Sequence, residues 1–305
     1  MKIALPTAVL ALTAACALPA DAQAPDARPL AAVKVADAPV SAFLDQCEGK
    51  EEWNDPAPPF HIYGNTYGVG TCGLNSLLVI DPEGLVLVDV GTQEAAKLVA
   101  ENIRRLGFQL SDVKWIVSSH EHWDHVGGVA EMQQLTGARV AALASAKDAF
   151  ESGHHNPIDP QGDAEFPKIR VDRVLNDGDT VKLGANVLTV HATPAHSPGS
   201  SSWTWQSCEG TACKTIAYAD SATTISADDY RFTDHPDYVA NVWRGLDAIA
   251  ALPCDILITP HPSASAMRER LASGKMEDKA TCRSYAPDAR ARFAKRLESE
   301  KNKPE

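Results

Sequence analysis

Three histidines and one aspartate fall within six residues at His120-Glu121-His122-Trp123-Asp124-His125, an H-x-H-x-D-H string. Imidazole nitrogens and a carboxylate oxygen, with no thiolate among them, are the donor set that suits zinc and related borderline cations. Four donors this close in the chain cannot all reach one tetrahedral ion without strain. His120 and His122 can serve one ion while Asp124 and His125 serve a second. Each ion would then take one more protein ligand from elsewhere and keep a position open for water. An open position marks a catalytic rather than a structural site.

The flanking sequence says how such a cluster could be aimed. Val113–Val117, with Trp115 and Ile116 inside it, reads as a buried strand. Ser118 and Ser119 end the run, the cluster follows, and Gly127-Gly128 opens a helical stretch over 129–135. Ligands just past the carboxyl end of a strand lie where α/β proteins usually place their sites. Two further histidines share that placement. The run 187–190 leads into Thr193-Pro194-Ala195-His196-Ser197-Pro198-Gly199, and Ile256–Ile258 leads into Thr259-Pro260-His261-Pro262. The neighbouring prolines restrict the backbone and help fix the aim of a ligand. His120, His122 and His196 are therefore assigned to a first ion, and Asp124, His125 and His261 to a second.

The other histidines read differently. His191 ends the same strand as His196 but comes earlier, and it reads as structural or as a partner behind the ligands. His61, His154, His155 and His235 lie in turn-rich or loop stretches and read as ordinary solvated side chains, with lining of a substrate cleft as the alternative for His154 and His155. A third strand candidate, 215–219, leads into Asp220-Ser221-Ala222-Thr223. Either Asp220 bridges the two ions, or Ser221 faces them and Asp220 points away, because strand neighbours alternate faces.

The string and the two later histidines resemble the mark of the metallo-β-lactamase superfamily. The stretches 64–73 (GNTYGVGTCG), 218–221 (YADS) and 259–262 (TPHP) resemble the third subclass of class B β-lactamases. That resemblance implies an α/β fold, a four-layer αββα sandwich of two mixed sheets packed together with helices outside. It also implies two Zn2+ per chain on the same two ligand sets, with Ser221 and Thr223 holding the substrate carboxylate. Two other subclasses place a cysteine ligand where Ser221 stands. Glyoxalase-like hydrolases use a bridging aspartate, which here would come one residue early, at Asp220.

The expected reaction is hydrolysis of the β-lactam amide of penicillins, cephalosporins and carbapenems, which gives antibiotic resistance. Metal binding makes hydroxide available near neutral pH, and Asp124 would orient it besides binding metal. The resemblance implies that the loop over 150–166 overhangs the cleft. Trp123 is expected to pack in the core. Trp203 and Trp205, two apart on a strand candidate, are expected to share a buried face. Two alternatives stand beside this reading: an exported two-zinc hydrolase of a lactone or thioester, and a zinc-binding protein without turnover.

Met1-Lys2, the apolar stretch 3–18 and Ala20-Asp21-Ala22 read as a secretory signal peptide over 1–22, so the expected location is the periplasm. The stretch 23–45 reads as a flexible arm. Residues 46–305 read as a single domain, because both ligand sets draw on both halves. Strands are predicted at 76–80 and 85–88 and a helix at 93–106, with later helices at 238–252 and 288–298. No segment beyond the leader is long and apolar enough to span a membrane.

Six of the seven cysteines lie beyond the leader, and an even set in an exported chain argues for disulfides. Cys208 and Cys213 would close a small hairpin loop. Cys254 with Cys282 resembles a pair in the subclass, which leaves Cys47 with Cys72. A formal charge of −12 argues against a nucleic-acid surface, which needs clustered Lys and Arg. The expected partner is a small-molecule β-lactam, bound by a monomer.

Overall fold

The computed structural model describes Met1, Leu30 and residues 34–302. The signal-peptide reading therefore lies outside the described residues apart from Met1. The chain begins with α1 (Val40–Gln46), then β1 (Phe60–Tyr63), β2 (Thr66–Gly68), β3 (Leu77–Asp81) and β4 (Gly84–Val88), all antiparallel in sequence order. Next come α2 (Ala95–Arg105), β5 (Val113–Val117), α3 (Trp123–Val126), α4 (Val129–Thr136), β6 (Arg139–Leu143), α5 (Ala144–Ser152) and β7 (Arg173–Leu175). β5, β6 and β7 join parallel to β4, giving a mixed sheet of seven strands.

A second mixed sheet holds β8 (Thr180–Leu183), β9 (Asn186–Ala192), β10 (Ser201–Glu209) and β11 (Ala212–Tyr218) as antiparallel neighbours. After α6 (Pro236–Ala250) the short β12 (Ile256–Ile258) joins the sheet's edge parallel to β11. α7 (Met267–Ala272) and α8 (Lys279–Lys301) finish the chain.

Residue parity explains the layers. On β3 and β4, Leu77, Val79, Val86 and Val88 face the second sheet, while Leu78, Leu85 and Leu87 face α2 and α4. A strand buried on both faces must read as a nearly continuous apolar run, and these do. Trp203 and Trp205 share the inner face of the second sheet with Leu188, Val190, Ile216 and Ile256, as expected from their spacing. Their indole N–H groups, buried with them, donate to the Ser118 carbonyl and the Thr66 hydroxyl, both at 3.0 Å. On the outer face, Leu257 packs with Val242 and Leu246 of α6 and Phe293 of α8. The result is the expected αββα sandwich.

Two stretches differ from the sequence reading. Residues 34–45, read as part of a flexible arm, are packed. A helix as short as α1 is not stable by itself, but Phe43 is buried against Phe60, with ring centroids 4.1 Å apart. The Ala38 carbonyl also accepts the His61 N–H at 2.8 Å. The last helix runs over Lys279–Lys301 rather than 288–298, with Pro287 inside it. Proline usually marks a helix boundary. Here Asp278 caps the true start by accepting the Ala280 N–H, and Tyr285 and Ala286, just before the proline, are buried beside Ala289 and Phe293. The disulfides are Cys47–Cys72, Cys208–Cys213 and Cys254–Cys282, the three expected pairs. Among the described residues no helix is long and apolar enough to cross a membrane.

Because Phe43 carries the docking of α1, Phe43→Ala should lower the unfolding free energy by about 3–5 kcal/mol. Urea denaturation checks this, and a change below about 1 kcal/mol would mean that α1 is not part of the folded core.

Candidate metal centre

β5 ends at Val117, and the chain turns at Ser118-Ser119 before the histidine string. What holds that turn is Asp89, just past β4, in a left-handed conformation with φ of 57°. Its carboxylate accepts the Ser119 N–H, the Ser119 hydroxyl and the Tyr218 hydroxyl, each at 2.7 Å. Tyr218 ends β11, so one buried side chain locks both sheets at the site. After His122 the backbone coils into α3 and presents Asp124 and His125 on a new face. Gly127 and Gly128 then pass too close to the rest for any side chain. A Cβ would lie 2.4 Å from the Trp123 carbonyl at the first and 2.6 Å from Val90 Cγ1 at the second.

Glu121 points to the other side of the string and is fully buried. It accepts the Gly199 N–H at 2.9 Å and the Ser197 hydroxyl at 2.8 Å, which ties the string to the turn that carries His196. Burial pushes its carboxyl pKa up, and these hydrogen bonds work the other way.

The rings of His120, His122 and His196 stand edge to face around one point, with centroids 4.6, 4.7 and 4.8 Å apart. Each has one nitrogen anchored on the outside. His120 Nδ1 is 2.8 Å from Asp220, His122 Nε2 is 2.8 Å from Asp159, and His196 Nδ1 is 2.9 Å from the Thr223 carbonyl. Such anchors fix tautomer and ring direction in metal sites. The remaining nitrogen of His120, Nε2, is buried with no hydrogen-bond partner. An unused buried lone pair beside two more imidazoles fits a cation. Burial, reinforced by neighbouring imidazoles, holds His120 well below the ordinary histidine pKa, and burial brings His196 down to about 3. Both rings are thus neutral at pH 7, as metal ligation requires.

A second group lies beside the first. Asp124 Oδ2 is 3.0 Å from His125 Nε2 and 3.4 Å from His261 Nε2, and those two nitrogens are 3.3 Å apart. Burial opposes a charge on His125, yet Asp124 and Asp89 push its pKa up to about 10. Burial would likewise raise the Asp124 pKa, and His125 and His261 hold it below the usual carboxylate range. This pocket calls for positive charge, and a divalent ion can supply it in place of the proton.

All six histidine and aspartate residues singled out in the sequence therefore meet at one end of the sandwich. The choice left open after β11 falls one way: Asp220 contacts His120, and Ser221 lines the cleft. Thr223 also lines the cleft, with its hydroxyl 3.0 Å from His196 Nδ1. His61, His154, His191 and His235 are engaged elsewhere, by the Gly64 carbonyl, Asp163, Thr204 and the Tyr230 ring.

Two readings change. His155, expected to be solvated, is buried with its ring 4.5 Å from that of His122. Trp123, expected in the core, is 37% exposed and meets Trp53 edge-on at 5.1 Å in the cleft wall. The cleft measures about 460 Å³. The loop after α5 overhangs it as expected, and Gln161 Nε2 reaches 3.4 Å from both His122 Nδ1 and His196 Nε2. Asp159 and Gln161 gave no signal in the sequence beyond a turn-rich composition.

Glu121→Ala would leave the buried Gly199 N–H unpaired and the Ser197 hydroxyl with Ser200 alone, at a cost of about 1–3 kcal/mol. Thermal or urea unfolding of the chelated protein should show that loss, and unchanged stability would mean that Glu121 does not hold the two segments together.

The comparisons agree with this geometry. A family model described as the metallo-β-lactamase superfamily matches residues 69–261. The crystal structure of the metallo-β-lactamase MIM-1 from Novosphingobium pentaromativorans is 55% identical, with a TM-score of 0.83 over 85% of this chain and 98% of that one. SMB-1, solved with mercaptoacetic acid, is 45% identical, with a TM-score of 0.77 over 82% of this chain and 99% of that one. MEM-A1, a subclass B3 enzyme from a soil metagenome library, is 39% identical, with a TM-score of 0.78 over 82% of this chain and 98% of that one. Hydroxyacylglutathione hydrolase of Methylobacterium nodulans is 30% identical over 183 residues, 60% of this chain, and the match spans only 59% of that relative's length. A family match over well more than half of the chain, together with solved relatives of subclass B3, leads to one conclusion: this protein belongs to the metallo-β-lactamase superfamily.

Proposed function

We propose that the protein is a zinc-dependent β-lactamase that hydrolyses the amide bond of penicillins, cephalosporins and carbapenems, and so gives resistance to them. The observation that carries this reading is the 2.8 Å contact of Asp220 with His120 Nδ1, which leaves a hydroxyl, Ser221, in the cleft wall. A carboxylate committed to the back of an imidazole does not bridge two ions. A free hydroxyl can receive the carboxylate that β-lactams carry.

In this reading His120, His122 and His196 hold a first zinc, and Asp124, His125 and His261 a second. Bound zinc would polarise the lactam carbonyl and bring the pKa of water close to neutrality. Asp124 accepts a hydrogen bond from the attacking water and aims it at the carbonyl carbon. Ser221 and Thr223 hold the substrate carboxylate, and the Gln161 amide can donate to the lactam carbonyl from the mouth of the first ligand group. Trp53, Trp123 and Ile225 give the apolar wall against which the fused rings rest. No serine nucleophile is needed. The protein acts as an exported monomer that folds as one domain, α1 included, after removal of a leader ending at Ala22. Its three disulfides suit an oxidising compartment such as the periplasm.

Hydrolysis of a lactone or thioester is the second reading, favoured by the similarity to hydroxyacylglutathione hydrolase. The position of Asp220 speaks against it.

Purified mature protein with added zinc should open a carbapenem and a cephalosporin, lose activity on chelation and regain it with zinc. Serine-directed inhibitors should leave turnover unchanged. Folded, zinc-loaded protein that opens neither drug would overturn the reading. Asp124→Ala should lower kcat/KM by about 10²–10⁴-fold, through loss of both a ligand and the group that orients water. Steady-state kinetics at saturating zinc measures this, and near-normal turnover would remove Asp124 from the chemistry.

A further inference from the structure

The anchors behind the imidazoles do not come from equivalent parts of the fold. Asp89 and Asp220 stand one and two residues past β4 and β11, so His125 and His120 are backed from strand ends, and His196 by the Thr223 carbonyl in the coil after β11. His122 alone is backed by a residue from a loop between α5 and β7, with Asp159 Oδ2 at 2.8 Å from its Nε2. The Asp159 side chain is fully buried, and its other oxygen, Oδ1, accepts the Gln161 N–H at 2.8 Å.

The loop is organised around that residue. Asp159 donates its own N–H to the Asn156 carbonyl at 2.9 Å, and its carbonyl accepts the Gly162 N–H at 3.1 Å. The loop is moored to the body through the Pro160 carbonyl, which accepts the Ala227 N–H at 2.8 Å. His155 lies against His122 with the two rings tilted by 32°, steadied by its Nδ1 contact of 3.1 Å with the Gly162 carbonyl. The loop therefore grips His122 at its edge and on its face, and the same turn sets Gln161 over Nδ1.

We propose that Asp159 is a positioning residue that couples the order of the 154–165 loop to occupancy of the first metal position. The step is mechanical. By accepting the Nε2–H of His122, Asp159 fixes the tautomer that leaves the Nδ1 lone pair facing His120 and His196. Without that acceptor the ring can turn or switch tautomer, and the first position loses a ligand. Among the described residues no hydrogen bond ties His125, Asp124 or His261 to the loop, so these three stay as they are. Linkage makes the effect reciprocal, so an ion held by His122 must stabilise the loop as much as the loop stabilises the ion. The proposal rests on the two-zinc reading above and adds an asymmetry that the ligand list alone does not contain.

The test compares the wild-type chain with Asp159→Ala and Asp159→Asn. Zinc affinity is read in two steps by competition with a chromogenic chelator. Amide hydrogen exchange over 154–165 is followed with and without zinc. Asp159→Ala should weaken one of the two ions by about 10–100-fold and leave the other within about twofold. Asp159→Asn keeps one acceptor oxygen and should recover part of the loss. In the wild type, zinc should slow exchange at Gln161 and its neighbours, and Asp159→Ala should abolish that protection. If Asp159→Ala binds both ions as tightly as wild type, weakens both equally, or leaves the zinc-dependent protection intact, the coupling does not exist. If Asp159→Ala fails to fold, Asp159→Asn decides by the same readings. Failure of the wild-type chain to take up two zinc ions would instead strike the two-zinc reading itself, and the proposal with it.

Discussion

Asp89 occupies a backbone conformation that non-glycine residues seldom adopt, at a cost of roughly 1–3 kcal/mol, and the need for that strain is visible in what its carboxylate touches. It takes three short hydrogen bonds, from Ser119 twice and from Tyr218, and lies 3.4 Å from His125 Nδ1. Ser119 begins the histidine string on one sheet, and Tyr218 ends the strand before Asp220 on the other. Their mutual position is what lets the candidate ligands that follow β5, β9 and β12 converge. The rest of the centre inherits its accuracy from this junction.

The two ligand groups differ electrically although they adjoin. The first consists of imidazoles alone, and burial keeps His120 and His196 neutral. The second contains Asp124 and has Asp89 behind it, so His125 holds a proton until something more positive arrives. One group offers lone pairs without a charge, and the other offers charge as well as lone pairs. That contrast comes from which side of the string each residue faces, and so from the turn of backbone at α3. The Asp159 contact adds a mechanical contrast, because among the described residues it ties a loop to the first group by a hydrogen bond.

Much of this was legible in the sequence because ligands follow apolar runs. Val113–Val117 and Ile256–Ile258 are strands as read, and His120 and His261 come just past their ends. Spacing inside the string is enough to separate the two ligand groups. The residues behind the ligands were not legible. Asp159, Gln161 and His155 sit in a stretch without period, and their roles arise only when the loop folds back over His122. Trp123 looked like core because it is aromatic and lies within the cluster, but the short helix α3 turns it outward to Trp53. α1 was missed because its seven residues carry no side-chain capping hydrogen bond and offer one fully buried side chain, Phe43. Pro287 hid the first two turns of α8, since a local rule about proline gave way to burial on either side of it.

β12 is three residues long, pairs with β11 alone and carries the last ligand of the second group just past its end. His261 lies 136 residues beyond His125, and α6 must be laid down before β12 can find its place. The pairing of β12 with β11, Ile216 opposite Ile256, is the more local of the two contacts, whereas bringing His261 to His125 closes a long loop at an entropic cost. Until β12 has paired, the histidine string stands without His261, its partner on the far edge of the second sheet. The arrival of the final edge strand is thus a matter of timing as well as architecture.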